Sequence, residues 1–162
     1  MNIRFATLTD IPACIELGRQ MHAVTRFAAY DYDAGRLARA LKKVIGTGRD
    51  ACGSHCFLVA EDGAGCIAGL LIGCMQKHFF SELPVASVIY YAVLPGRRMS
   101  GAGLRLLTTF RKWAENRGAF ELSVGTNSGV ELEKTDRFLR RLGLQRTGGN
   151  YALLFGAGGM ET

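Results

Sequence analysis

Residues 85–93 are almost unbroken in apolar, β-branched and aromatic side chains. They run directly into Leu94-Pro95-Gly96-Arg97-Arg98-Met99-Ser100-Gly101-Ala102-Gly103, after which Leu104, Leu107, Phe110 and Trp113 recur at helical spacing. A strand of that composition is expected to be buried on both faces. The glycine-rich turn and amphipathic helix behind it confine the chain to a layered α/β architecture. A length of 162 residues leaves room for one domain of ordinary size. Apolar residues at 48% and charged residues at 21% place it among globular chains and exclude a disordered one. The twenty-one glycines are scattered without a period and only three prolines occur, which excludes collagen-like, low-complexity and proline-linker readings. No apolar run approaches the ~20 residues of a membrane span. Met1-Asn2-Ile3-Arg4 opens into strand-like alternation without the apolar stretch of a leader. The expectation is a cytoplasmic protein with no membrane partner.

The remaining punctuation orders the other elements. Residues 2–8 alternate as a first strand, and Thr9-Asp10 is a candidate N-cap for a helix carrying Ile11, Ile15, Leu17 and Met21. Residues 27–32 read as a connection. Asp33 caps a second helix, with Leu37, Leu41, Val44 and Ile45 on its apolar face and Gly46-Thr47-Gly48 at its end. Strands at 56–60 and 66–80 flank the turn Glu61-Asp62-Gly63-Ala64-Gly65, and the buried strand 85–93 follows. The helix 104–116 ends before Gly118, where a C-terminal glycine belongs. A short strand at 121–125 leads to a charged helix at 131–142 with Leu132, Phe138, Leu139 and Leu142 inward. Short strands at 144–147 and 151–155 close the pattern around Gly148-Gly149-Asn150. The order is β-α-α-β-β-β-α-β-α-β-β, with neither repeat nor linker. It predicts one mixed α/β domain over residues 1–155 and a frayed tail at 156–162.

The cysteines and charges narrow the chemistry. Cys14, Cys52, Cys56, Cys66 and Cys74 contain no Cys-x-x-Cys pair and read as reduced, buried small hydrophobes. Cys52-Gly53-Ser54-His55-Cys56 holds metal-ligand types but lacks a second pair at ligand spacing, so no metal is expected. The net charge of +6 is localised. Residues 95–146 hold eleven Lys or Arg against five Asp or Glu, while the rest holds nine of each and is neutral. A basic third of a chain points to an anionic partner, unless it is only a solvated helix face.

The turn before the third predicted helix is an anion cradle in physical terms. Gly101 and Gly103 permit tight turning and close approach, while the first-turn amides and the helix dipole favour negative charge. Arg97 and Arg98 add donors suited to phosphate. A Walker-type loop is absent, and the dinucleotide fingerprint lacks its third glycine and its opening βαβ unit. What remains is Arg98-Met99-Ser100-Gly101-Ala102-Gly103, which fits Arg/Gln-x-x-Gly-x-Gly/Ala, with Pro95 three residues ahead and a buried strand before it. This resembles the acyl-coenzyme A signature of the GNAT superfamily of N-acetyltransferases. Ile3-Arg4-Phe5-Ala6-Thr7 with Asp10 resembles the family's opening, and Phe138-Leu139-Arg140-Arg141-Leu142-Gly143-Leu144 its late helix-to-strand passage.

The resemblance implies a mostly antiparallel central sheet with helices on both faces, and acetyl-coenzyme A (acetyl-CoA) as co-substrate. It assigns the pyrophosphate to the backbone of Arg98, Met99, Ser100, Gly101, Ala102, Gly103 and Leu104, with Arg97 nearby. It lays the pantetheine arm along Ala92, Val93 and Leu94, one of whose amides polarises the thioester carbonyl, and puts Asn127 near the same arm. The preceding strand splays from its neighbour in this family. Arg105 and Arg111 are as readily solvated surface as cofactor contacts. The implied acceptor is a primary amine on a small molecule, peptide or protein. Residues 25–33, with Phe27, Tyr30, Asp31 and Tyr32, would shape its pocket. A homodimer is implied only by analogy.

The chain departs from the family where proton transfer is concerned. Leu139 occupies the slot of a tyrosine that commonly protonates the thiolate, and the strand at 85–93 has no carboxylate to serve as base. Tyr91, Tyr151 and Ser87 are the candidate replacements, with Tyr91 expected on the strand face of Ser87 and Val93. His22, His55 and His78 show no triad spacing. Two other readings stay open. One is an acyl-CoA-binding module of the same fold with weak or no catalysis. The other is a basic nucleic-acid-binding protein, which no recognised motif supports.

Overall fold

The computed structural model describes residues 1–48 and 54–155, with residues 98–100 in backbone only. The chain divides into two compact units, Met1–Met21 with Asp33–Gly125 and His22–Tyr32 with Thr126–Thr162. In the first unit five strands form one sheet in the order β1 (Asn2–Phe5), β2 (His55–Glu61), β3 (Ile67–Lys77), β4 (Pro84–Val93) and β5 (Glu121–Val124). Neighbours are antiparallel as far as β4, and β5 then lies parallel to β4. The parallel pair needs a crossover, which α3 (Ala102–Glu115) supplies.

Alternation along β2 and β3 separates two buried faces. Phe57, Val59, Leu70 and Ile72 pack with Ile11, Cys14 and Leu17 of α1 (Ile11–Ala23) and with Leu41 and Ile45 of α2 (Ala34–Gly48). Leu58 and Leu71 point the other way, where α3 supplies Leu106 and Phe110, and all four are essentially inaccessible. Helices thus cover both faces, as the resemblance implies. Burial pushes the thiols of Cys14 and Cys56 up to about 12, which suits inert core residues. Cys66 is exposed in the β2–β3 turn, against expectation, because the turn leaves its side chain without a layer to pack on. Cys52 and Gly53 lie outside the described residues. Among the described residues, no three or more His, Cys, Asp or Glu form a group that could hold a metal, and no helix is long and apolar enough to cross a membrane.

The start of α1 differs from the predicted Thr9-Asp10 cap. Thr7 is the cap of a 3-10 turn, Leu8–Asp10, that leads into the helix. Asp10 closes the turn by accepting the Thr7 amide at 2.7 Å and the Thr7 hydroxyl at 2.9 Å. Its carboxylate also takes two bonds from the Arg4 guanidinium, at 2.8 and 2.9 Å, while Arg4 Nε donates to Glu61 at 2.7 Å. Arg4 therefore ties β1, β2 and the root of α1 together. Asp33 caps α2 as expected, its Oδ1 accepting the Arg36 amide at 2.8 Å.

In the second unit the chain forms a 3-10 turn, Arg26–Ala29, and the helix α4 (Leu132–Arg141), which ends at Gly143 with φ of +86°. The two strands predicted at 144–147 and 151–155 are absent, and this stretch is irregular. Their residue types favour extended chain, but a strand exists only where a partner accepts its ladder bonds. Here Asn150 Nδ2 bonds instead to Thr126 O at 3.2 Å, and Tyr151, Leu153 and Phe155 are exposed. The tail at 156–162 lies outside the described residues.

Only 7% of Asp10 is exposed, and the Arg4 bonds hold its carboxyl at about 2, below the usual 3.8. A lowered carboxylate pKa stabilises the fold above the unfolded value, and that stability is lost as pH falls through the folded value. Asp10→Asn should cost about 2 kcal/mol at pH 7, and the gap to wild type should close between roughly pH 4 and pH 2. Urea denaturation at these pH values measures the gap.

Candidate functional site

β4 carries one residue more than its partner can match. Tyr90 faces Ile72 and Val88 faces Gly73, so Ile89 is the extra residue of a β-bulge, and it is 57% exposed. The bulge reverses the alternation. Val88, Tyr91 and Val93 share the α3 face, whereas Ser87 stands opposite Cys74 on the α1–α2 face. The expected sharing of a face by Tyr91 and Ser87 is therefore corrected, since one inserted residue moves a side chain to the other side of a sheet. The bulge also accounts for the part-exposed middle of β4, which had been expected to be buried on both faces. Ser87 Oγ meets Ser123 Oγ of β5 at 2.9 Å.

The bulge also ends the sheet on that side. β5 pairs with β4 only from Val85 opposite Glu121 to Val88 opposite Val124. Beyond it, no strand among the described residues lies against the outer edge of β4. The Leu94 amide donates to Ala68 O at 2.9 Å, and Ala92 O lies beside Gly69, so both residues turn their polar groups toward β3. Antiparallel geometry then directs the amides of Tyr91 and Val93 to the open edge.

The chain leaves this edge through a 3-10 turn, Pro95–Ser100, and reaches Gly101, which has φ of +75° and ψ of +5° and is the N-cap of α3. Glycine meets that conformation without strain and brings no side chain to occupy the helix end. The first intrahelical bond runs from the Arg105 amide to Gly101 O at 3.0 Å. The amides of Ala102, Gly103 and Leu104 precede that first bond, at the positive end of the helix dipole. Gly103 lets the first turn settle on β4, because a Cβ there would lie 2.2 Å from the Tyr91 hydroxyl oxygen. Arg97 reaches across to Asp62 of the β2–β3 turn at 2.9 Å. The Asp62 carboxyl is held below its usual range chiefly by the Cys66 and Ala64 amides, with the Arg97 charge adding to the effect.

The structure brings Tyr91, Ala92, Val93, Leu94, Arg97 and residues 98–104 together at one end of the first unit. Asn127 and Tyr151 belong to the second unit. Asn127 is exposed, with its carbonyl bonded to Arg26 Nε at 2.7 Å, and Tyr151 is 99% exposed on the irregular stretch rather than on a hairpin. Leu139 is 9% exposed on α4. Sequence reading missed the bulge at Ile89, the Asp62 partner of Arg97 and the Arg26 bond to Asn127 O. None has a local signature, since each depends on residues distant in the chain.

An open strand edge ending in a helix N-terminus without a side-chain cap offers backbone donors and the positive end of a helix dipole. The chain belongs to the acetyltransferase (GNAT) family, whose model matches residues 16–143. The fold is similar to that of an acetyltransferase from Trypanosoma brucei, with TM-score 0.70, 18% identity, and 95% of this chain and 99% of that one covered. Glucosamine-6-phosphate N-acetyltransferase from Arabidopsis thaliana aligns with TM-score 0.72 and 17% identity over 95% of this chain and 97% of that one. AAC(6')-Iy, in complex with the bisubstrate analogue CoA-S-monomethyl-acetylneamine, aligns with TM-score 0.73 and 16% identity over 95% of each chain. No curated protein sequence matches the chain.

Gly103→Ala should destabilise the protein by about 1–3 kcal/mol through overpacking against Tyr91. Tyr91→Phe removes the clashing oxygen, so the same change in that background should cost measurably less. Equal costs in the two backgrounds, by urea denaturation, would show that the Tyr91 contact does not set the residue at 103.

Proposed function

We propose that the protein transfers the acetyl group of acetyl-CoA to a primary amine by direct attack within a ternary complex. The observation that carries this is the glycine-capped N-terminus of α3 at the end of the open β4 edge. On this reading the amides of residues 98–104 receive the pyrophosphate, with Arg98 and Arg97 contributing charge. Ala92, Val93 and Leu94 run beside the pantetheine arm, and Asn127 is given to the same arm by resemblance. Ala92 and Leu94 direct their backbones to β3, which leaves the Val93 amide to donate a hydrogen bond to the thioester oxygen as negative charge develops on it. Acetyl-CoA brings the activated acyl group. The protein has to align a neutral amine with it and see one proton reach the departing thiolate. By resemblance residues 25–33 would shape the acceptor pocket, and their aromatic rings and Asp31 suit an amine cation before it loses its proton. Two neighbours are named for amino-sugar or aminoglycoside acetyltransfer, which supports a small-molecule amine among the implied acceptors. The catalytic domain is read as residues 1–155.

The binding-module reading has its own support, in Leu139 and in a β4 without a carboxylate. Release of free thiol from acetyl-CoA on addition of an amine panel separates the two, since a binding module releases none.

Arg98→Ala should weaken CoA binding by about 1–3 kcal/mol, the range for a charge-assisted hydrogen bond. Gly101→Val should weaken it severely, because a β-branched residue does not adopt positive φ without strain. Unchanged affinity by calorimetry in both variants would overturn the cofactor assignment.

The proton donor is tested separately. General acid help is typically worth about 10²–10⁴-fold. If Tyr91 or Tyr151 supplies it, the matching Tyr→Phe variant should lose rate by that factor, keep its CoA affinity and lose the alkaline fall of the pH–rate profile. Parent behaviour in both variants leaves solvent or unassisted thiolate departure as the route, with Ser87 tested by Ser87→Ala.

A further inference from the structure

The turn between β2 and β3 is built around one carboxylate. Asp62 Oδ1 accepts the amides of Ala64 at 2.9 Å and Cys66 at 3.0 Å. The main chain closes the same turn, with the Asp62 amide donating to Cys66 O at 2.9 Å and the Gly65 amide to Asp62 O at 3.1 Å. Gly65, with φ of +82°, lets the chain fold back this tightly. An asparagine could supply the one side-chain oxygen that the turn uses. The second oxygen is what a carboxylate adds, and Asp62 Oδ2 lies 2.9 Å from Arg97 Nη2. The Asp62 side chain is 11% exposed and held by two amides, so that oxygen has a fixed place and direction.

Arg97 belongs to the same unit and is fixed differently at its two ends. Its amide donates to Leu94 O at 2.8 Å, within the 3-10 turn that joins β4 to α3. Its side chain is 53% exposed, and a long side chain at such a surface loses much rotamer freedom when a ligand orders it. That ordering costs affinity at the moment of binding, and a guanidinium already held in place avoids part of the cost. The flat fork of an arginine carries five donors, so it can meet a carboxylate and a phosphate together. As a contribution to stability, a pair with so exposed a partner counts for little.

We propose that Asp62 is a positioning residue that holds Arg97 ready for a phosphate of the cofactor. The inference rests on the reading above, which places Arg97 beside the CoA phosphates. Asp62 touches no ligand on this account and acts through the arginine alone. A carboxylate anchored by two amides is a fixed support, whereas one that merely stood in for the phosphate would have to let Arg97 go. The two roles differ in sign. Removing a support weakens cofactor binding, and removing a competitor tightens it.

Calorimetry with CoA and with dephospho-CoA is run on wild type, Asp62→Asn, Arg97→Ala and the double variant. Asp62→Asn keeps the oxygen that the Ala64 and Cys66 amides need and replaces the other by a group that cannot accept from Arg97. It should weaken CoA binding by about threefold or more, within the range of coupling between residues in contact. Arg97→Ala should weaken it at least as much, and adding Asp62→Asn to that background should change nothing further. Should the asparagine variant fail to fold, Asp62→Ser enters the cycle in its place, since a hydroxyl can take the turn's bonds. A penalty that persists with dephospho-CoA assigns Arg97 to the pyrophosphate, one lost there assigns it to the 3′-phosphate, and either supports the pairing. An equal loss in both backgrounds would mean only a disturbed turn and overturns the proposal. Unchanged or tighter binding in Asp62→Asn, or unchanged binding in Arg97→Ala, overturns it too and leaves the acetyl-CoA reading standing. A wild type that binds no CoA overturns that reading itself, and this inference with it.

Discussion

The first unit depends on how closely α3 lies on the sheet, and three glycines set that distance. A Cβ at Gly73 would come within 2.3 Å of the Phe110 ring, one at Gly69 within 3.3 Å of Leu106 Cδ1, and one at Gly103 within 2.2 Å of the Tyr91 oxygen. Two of these glycines are in β3 and one is in the first turn of the helix, so the contact is licensed from both sides. Phe110 then stacks on Trp113 with ring centroids 5.4 Å apart, and Leu106 and Phe110 are fully buried. Interiors packed to crystal density do not absorb an added methylene without moving backbone.

The bulge at Ile89 does the complementary work on the strand. It brings Tyr91 and Val93 to the helix side, and pairing with β5 stops at the same point. A β4 paired along its whole length would spend the Val93 amide on a ladder bond and leave no edge for an extended ligand. On the proposed function the open edge and the helix end act together, since the sheet gives up ladder bonds where a ligand would need backbone donors.

These two features also explain what could be read in advance. The core faces of α1, α2 and α3, the β2–β3 hairpin and the glycine-bounded turn before α3 were legible, because each is encoded by local periodicity or by a residue with a conformational specialty. The bulge was not, since Val88-Ile89-Tyr90 carries no glycine or proline and the extra residue exists only relative to β3. The Arg97–Asp62 pair joins residues 35 positions apart and depends on the β2–β3 turn meeting the 3-10 turn. Residues 144–155 failed for the opposite reason. Their composition announces strands, but a strand is a property of a pair.

The basic segment has local partners. Arg111 pairs with Glu115, Arg140 with Asp136, and Lys134 with Glu131, each within one helix turn, and Arg117 lies over the Trp113 ring. Exposed pairs of this kind contribute little stability, and their acids are already counted in the balance of +6, so the excess itself is untouched by them. On the proposed function, recognition at the α3 end rests on main-chain amides, which every sequence possesses. What the sequence must keep is a short set of positions that permit the backbone path, chiefly Gly101 and Gly103. Side chains that would select an acceptor have no such economy, since each must match one amine in shape and charge, and for this reason the family was readable and the acceptor was not.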